Sequence, residues 1–328
     1  MATPYCIYGK ITFDTEQLDD FIIARSDGSP IYNLVVVADD AAMGVTHVVR
    51  GEDHLSNTPK QILLYEACGF AVPQFAHLPM ILGPSGDRLS KRDGATATQE
   101  YRHEGYLADA LLNYLARLGW SHGDQEIFTR QELIEAFTLE GVGKKGAIFD
   151  PQKLAWVNGV YMRHSSDGQL LTLLARDVDP EIRQRLSGWS EEQVVHAVAL
   201  YKERVDTLKQ LRDELLCLHD GPSTSAVGND DTSEEAIACL HDVLDLLGEI
   251  SSWDAQAITT VVKGEVKKAG IGFAQLAHLV RRALIGVAGG PGLSDLMLLV
   301  GRKATVSRIK KLLDTVERAP QASGDKGE

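Results

Sequence analysis

Between Gly83 and Ala95 the chain reads GPSGDRLSKRDGA. Arg88, Lys91 and Arg92 crowd around Leu89 and Ser90, behind a lead-in of glycine, proline and serine that turns readily. A loop of this kind can carry cations onto a polyphosphate. In an in-line displacement at a nucleotide's α-phosphate, negative charge grows on the bridging and leaving oxygens, and a lysine that closes over them neutralises it as it develops. Taken alone, an S-K-R triplet is far more often a solvated basic turn, so the surrounding chain has to decide.

The elements that would position such a loop alternate through the first hundred residues. Phe21 to Ala24, Leu34 to Ala38 and Thr46 to Val49 are dense in β-branched and aromatic residues and predict strands. LVVVA (34–38) lacks polar alternation, which suits a parallel strand covered on both faces. Thr58, Pro59 and Gln61 predict a helix start with an N-cap, a proline in the first turn and a capping-box partner, and Gly69 predicts its end. The apolar run HLPMILG follows. Strand, helix and strand in this rhythm predict a doubly wound α/β sheet.

After residue 100 the pattern turns helical. Leu107 to Leu118, Arg130 to Phe137 and Asp150 to Arg163 place apolar residues at three- and four-residue spacing. Further helices are expected over Glu191–Leu218, Ser233–Leu247, Trp253–Lys268, Phe273–Gly286 and Thr305–Ala319. Residues 219–233 read as a linker and 320–328 as a disordered tail. Trp120, Trp156 and Trp189 read as core.

The formal charge of -13 excludes wholesale coating of nucleic acid. Between residues 261 and 318, however, eleven Lys and Arg stand against four acids, a local excess of +7. The four cysteines, Cys6, Cys68, Cys217 and Cys239, have no metal-ligand spacing and read as free thiols, without zinc. No apolar run is long enough to cross a bilayer, and MATPYCIYGK has neither the basic nor the apolar region of a secretory signal, so a cytoplasmic address is expected.

LSKRDGA resembles the second signature of class I aminoacyl-tRNA synthetases, in the form that glutamyl enzymes use. RSDGSPIYNLVVVADDAAMGVTHVVRGEDHLSNTPKQILLYEACG (25–69) resembles the second half of their Rossmann-type nucleotide-binding fold. GYLADALLNYLARLGWS (105–121) and GAIFDPQKLAWVNGVYMR (146–163) resemble their helical stem-contact domain. LVRRALIGVAGGPGLSDLMLLVGRKATVSRI (279–309) is similar to the close of their helical anticodon-binding domain. The likeness implies an α/β part followed by an all-α part. Its expected divisions are the end of an acceptor-binding insertion (1–20), the carboxyl half of the catalytic domain (21–97), the stem-contact domain (98–164) and the anticodon-binding domain (165–319).

For single residues the resemblance implies that Tyr32 and Arg50 hold glutamate, the arginine by a two-pronged bond to a carboxylate. The structural alternative for Arg50 is an ion pair with Asp39, Asp40 or Glu52. Asp53 and His54 would border ATP, with the backbone of Met80 and Ile81 against its adenine and Arg88, Leu89, Ser90, Lys91 and Arg92 over its phosphates. Lys91 is the expected catalytic residue. Neither His54 nor His77 receives a catalytic role. Mg2+ would accompany ATP, and tRNA(Glu) would lie along the basic helical segment. The family's first signature, H-x-G-H, does not occur among the ten histidines. The expectations are therefore a glutamate–tRNA ligase lacking its amino-terminal part and inactive alone, completed by a separate amino-terminal half, or a non-catalytic tRNA-binding module or inactive truncated product.

Overall fold

Residues 34–38 form a helix, not a strand. In the computed structural model, which describes residues 2–3, 7–9, 11–14, 16, 18–89, 97–222 and 233–318, helix α1 runs from Tyr32 to Ala42. Three adjacent valines favour extended backbone only weakly, and packing overrides them. Leu34, Val37 and Ala41 stand at helical spacing and pack into one cluster with Ile62, Leu64, Tyr65 and Phe75. Phe21–Ala24 is not a strand either. It contributes only the bridge Ala24 to Pro30 around a turn at Asp27 and Gly28.

Two short strands, β1 (Ala2–Thr3) and β2 (Ile11–Thr12), pair antiparallel. The run at Thr46 opens β3 (His47–Gly51), and β3 pairs in parallel with β4 (Gln74–Leu78). Between them lie a 3-10 turn (Glu52–Asn57) and α2 (Thr58–Ala67), giving a β-α-β unit. The expected capping box at Thr58 is absent because the chain already coils through Asn57, which caps α2 without a side-chain bond. Thr58 Oγ1 turns instead toward His77, and Gln61 Nε2 donates to Asn33 Oδ1 at 3.2 Å, tying α2 to α1. Pro79 and Met80 split the run HLPMILG, so that β5 (Ile81–Leu82) leaves β4 and pairs in parallel with β6 (Ala147–Ile148).

The helices continue with α3 (Thr98–His103), α4 (Ala108–Arg117), α5 (Arg130–Ala136) and α6 (Pro151–His164). Among the described residues no strand follows Ile148. Then come α7 (Asp167–Asp177), α8 (Ile182–Arg185), α9 (Glu191–Lys202), α10 (Leu208–Asp220) and α11 (Glu234–Glu249). The last four are α12 (Ala255–Ala269), α13 (Phe273–Ile285), α14 (Leu293–Val300) and α15 (Arg302–Arg318). The single helix expected over 191–218 is two. Thr207 caps α10 by accepting from the Gln210 backbone N–H at 3.2 Å, and the chain breaks before it. Most of the expected linker and the whole tail lie outside the described residues.

The chain divides into two compact units, residues 1–100 with 107–157 and residues 101–106 with 158–328. In the first, a second cluster joins Ala76, Trp120, Phe128, Leu133 and Val142. The second unit buries leucines along α10, α11 and α13. There Gly105 adopts φ +86, and a Cβ on it would stand 2.5 Å from the Lys209 backbone nitrogen. Trp120 is core, as expected, and Trp189 is half-buried against His219. Trp156 is not core: it is 47% exposed.

Candidate active site

Parallel pairing sets the geometry. In the β3–β4 register Arg50 is opposite His77, so both side chains leave the same face near the carboxyl ends of their strands. Arg50 Nε donates to His77 Nε2 at 3.3 Å. Its Nη2 donates to Thr58 Oγ1 at 2.9 Å and to the His54 carbonyl at 3.3 Å. Thr58 Oγ1 lies 3.1 Å from the same His77 nitrogen. The guanidinium also sits over the Phe75 ring, 5.4 Å from its centre, and Phe75 stacks beside His77.

His77 is fully buried. Burial first, then the charge of Arg50 and the nearness of His54, push its pKa down to about 4. The imidazole is therefore neutral at neutral pH. As an acceptor at Nε2 it carries its proton on Nδ1.

Tyr32, at the start of α1, reaches the same cluster. Its hydroxyl is 3.5 Å from His54 Nδ1, the two rings lie 5.9 Å apart, and Asn57 Nδ2 holds His54 Nδ1 at 3.2 Å. Half of Tyr32 is exposed, so this edge of the cluster faces solvent. Thus Tyr32, Arg50 and His54 do converge. Asp53 takes a different partner: Arg88 Nη2, 3.3 Å from Asp53 Oδ2, in an exposed pair of the kind that contributes little to stability. Leu89 N–H donates to the Ile81 carbonyl at 2.9 Å, so the chain folds back along β5 as it enters the cationic segment. Ser90, Lys91 and Arg92 lie outside the described residues.

Glu52 was not anticipated in this role. Its Oε1 accepts the Met80 backbone N–H at 3.1 Å and its Oε2 the Tyr8 hydroxyl at 2.6 Å, which fixes the bend between β4 and β5. His77 and Thr58 were likewise missed as partners of Arg50. Strand register brings them together, and a single sequence does not state register. A cavity of about 590 Å3 adjoins this bend and is walled by Met80, Ile81, Leu112, Leu115, Trp120 and Phe137. It is apolar and does not include the Arg50 cluster.

In the second unit, several members of the basic segment have structural partners. Arg308 Nη1 donates to the carbonyls of Leu218 and Leu284, each at 2.9 Å, and its Nη2 to that of His219 at 2.6 Å. These carbonyls end α10 and α13, which have no partners of their own within the last turn. Lys268 pairs with Glu265, Arg281 donates to the Pro291 carbonyl, and Arg302 lies over Trp253. Lys263, Lys267, Lys303, Lys310 and Lys311 are exposed. Cys68, Cys217 and Cys239 are free thiols. Among the described residues no helix is long and apolar enough to cross a membrane.

A family profile described as tRNA synthetases class I (E and Q), catalytic domain, matches residues 3–156, and one described as an anticodon binding domain matches residues 173–313. The chain is 44% identical over 309 residues to a glutamate–tRNA ligase of Nitratidesulfovibrio vulgaris, covering 93% of this chain and 66% of that one. The corresponding protein of Geobacter sulfurreducens is 43% identical over 326 residues, covering 95% and 67%. Among solved structures, a glutamate tRNA ligase from Elizabethkingia meningosepticum, in complex with its amino acid, is similar at a TM-score of 0.80 and 31% identity, over 96% of this chain and 66% of that one. The chain thus spans about two thirds of the length of the curated relatives it matches. With an α/β part that carries the Arg50 cluster, a helical part after it, and both family profiles matched in that order, the chain belongs to the glutamate–tRNA ligase family of class I aminoacyl-tRNA synthetases.

Proposed function

We propose that this chain carries part of the glutamate pocket, one side of the ATP site and the tRNA-binding body of a glutamate–tRNA ligase. The observation that supports it most is the Arg50 guanidinium, held near the carboxyl end of a parallel strand, where open α/β sheets take their ligands. In this reading Arg50 grips the side-chain carboxylate of L-glutamate and Tyr32 lines the pocket beside it. The α-carboxylate of glutamate attacks the α-phosphate of ATP, an O–P bond forms, and pyrophosphate leaves with the electrons of the broken bond. Lys91 is the catalytic residue, neutralising charge on the leaving oxygens. Arg88, Leu89, Ser90 and Arg92 shape the loop, Asp53 and His54 border the nucleotide, and Met80 and Ile81 meet its adenine. The glutamyl group then passes to the 3′ end of tRNA(Glu), and AMP leaves.

Mg2+ enters this scheme with ATP. Among the described residues no group of three or more His, Cys, Asp or Glu side chains gathers to hold an ion. Because the chain contains no H-x-G-H, the opposing phosphate contacts would come from a separate amino-terminal half. The exposed cations of α12 and α15 fit an RNA backbone.

The test combines tRNA(Glu) binding by the purified chain with glutamate-dependent ATP–pyrophosphate exchange. Salt-sensitive tRNA binding is expected, with exchange appearing only when a polypeptide bearing H-x-G-H is added. Binding without exchange in either condition would favour a tRNA-binding module. Failure to bind tRNA would overturn the assignment of the helical body.

A further inference from the structure

An arginine that must receive a carboxylate faces a design conflict. It has to be held in one orientation, yet the strongest holder, another carboxylate, would cancel the charge it needs. Two acids, Glu52 and Asp53, closely follow Arg50 in sequence, and each has a partner of its own. Glu52 binds Tyr8 and the Met80 backbone, and Asp53 binds Arg88. Arg50 is gripped instead through Nε by His77 Nε2 and through Nη2 by Thr58 Oγ1 and a backbone carbonyl. All three acceptors are uncharged. His77 and Thr58 are both fully buried, and they also meet each other at 3.1 Å, so neither can swing away without disturbing the other.

We propose that His77 and Thr58 are positioning residues that fix the Arg50 guanidinium for the glutamate side chain while adding no negative charge beside it. This rests on the assignment of Arg50 to glutamate made above. His77 needs its Nε2 lone pair for the task, which phenylalanine lacks. Thr58 needs its hydroxyl, which valine lacks and serine keeps.

Two measurements on the full chain separate the proposal from the reading it rests on. In chain labelled with 15N-arginine, the Nε–H resonance of Arg50 is identified by its loss in Arg50→Lys. It is expected to be sharp and slow to exchange in the unsubstituted chain, broadened in His77→Phe and Thr58→Val, and restored in Thr58→Ser. Calorimetric titration with L-glutamate should show affinity reduced roughly ten-fold in His77→Phe and Thr58→Val, as for loss of one hydrogen bond to a charged group, with Thr58→Ser close to the unsubstituted chain. L-Glutamine, which has no side-chain charge, should be affected less. Thr58→Val keeps the side-chain volume and decides the matter where His77→Phe does not fold. An Nε–H resonance unmoved by these substitutions overturns the positioning role and needs no ligand to do so. Glutamate binding indifferent to Arg50→Lys overturns the assignment of Arg50 itself.

Discussion

His77 lies directly across the parallel strand pair from Arg50, and its Nε2 accepts the guanidinium Nε–H over 3.3 Å. That contact exists only while the imidazole is neutral.

The first prediction follows from that protonation state. In the unfolded chain His77 titrates near the ordinary 6.5, and in the fold its pKa is pushed down to about 4. Above 6.5 both states hold the neutral ring and the fold keeps its full stability. As pH falls from 6.5 toward 4 the unfolded state gains a proton that the folded state refuses, so stability is lost across that window. The loss at the lower end approaches roughly 3 kcal/mol. Urea unfolding at pH 7.5 and pH 4.5 measures it, and His77→Asn should flatten the difference. An equally steep decline in that variant would show that other groups govern the acid limb.

Arg308 predicts a split within the basic segment. Arg308→Met leaves the terminal carbonyls of α10 and α13 without their donor, and should cost about 3 kcal/mol in thermal or urea unfolding. Lys310→Gln with Lys311→Gln, both exposed, should change stability by less than about 0.5 kcal/mol. The same pair should weaken tRNA binding and lower its salt dependence by about one to two counterions. Unchanged tRNA affinity in the double variant would remove α15 from the RNA surface.

Gly105→Ala should destabilise the second unit by more than about 2 kcal/mol. The added Cβ meets backbone nitrogens of residues 208 and 209, which cannot rotate aside, and φ +86 is strained for any L side chain. Differential scanning calorimetry of the variant checks this; a Tm within about a degree of the parent would contradict the close approach.

For chemistry, Lys91→Ala in an enzyme completed with an H-x-G-H half should slow glutamate-dependent ATP–pyrophosphate exchange about 100-fold, as for loss of one charged contact in the transition state. tRNA binding should be nearly unchanged. A normal exchange rate would remove Lys91 from the catalytic role.

The sequence made most of the helical half legible because amphipathic spacing and side-chain caps act locally. The predicted starts near Arg130, Ser233 and Phe273 fall within a residue or two of the observed helices. The break at Thr207 was readable too, since Thr207 and Gln210 stand at capping spacing, but unbroken apolar periodicity from α9 into α10 hid it. At LVVVA composition misled: the valines spoke for a strand while Leu34, Val37 and Ala41 already stood on one helical face. Tyr32, Arg50 and His54 were legible only through the family resemblance, which set the first two on glutamate and the third beside ATP, and the fold brings them together from α1 and the end of β3. His77 and Glu52 were not, because their tasks depend on strand register and on a bend, and both are set by long-range packing.

Helix α1 carries a last consequence for the life of the chain before it is folded. A helix built on three neighbouring valines keeps its form through α2 and the cluster beneath it. Until those partners arrive, residues 31–37 (IYNLVVV) are rich in β-branched residues, uncharged and free of proline, a composition prone to stack with copies of itself into fibrils. Asp39 and Asp40 directly behind them act as gatekeepers, repelling a like segment from another molecule while the nascent polypeptide is still unprotected.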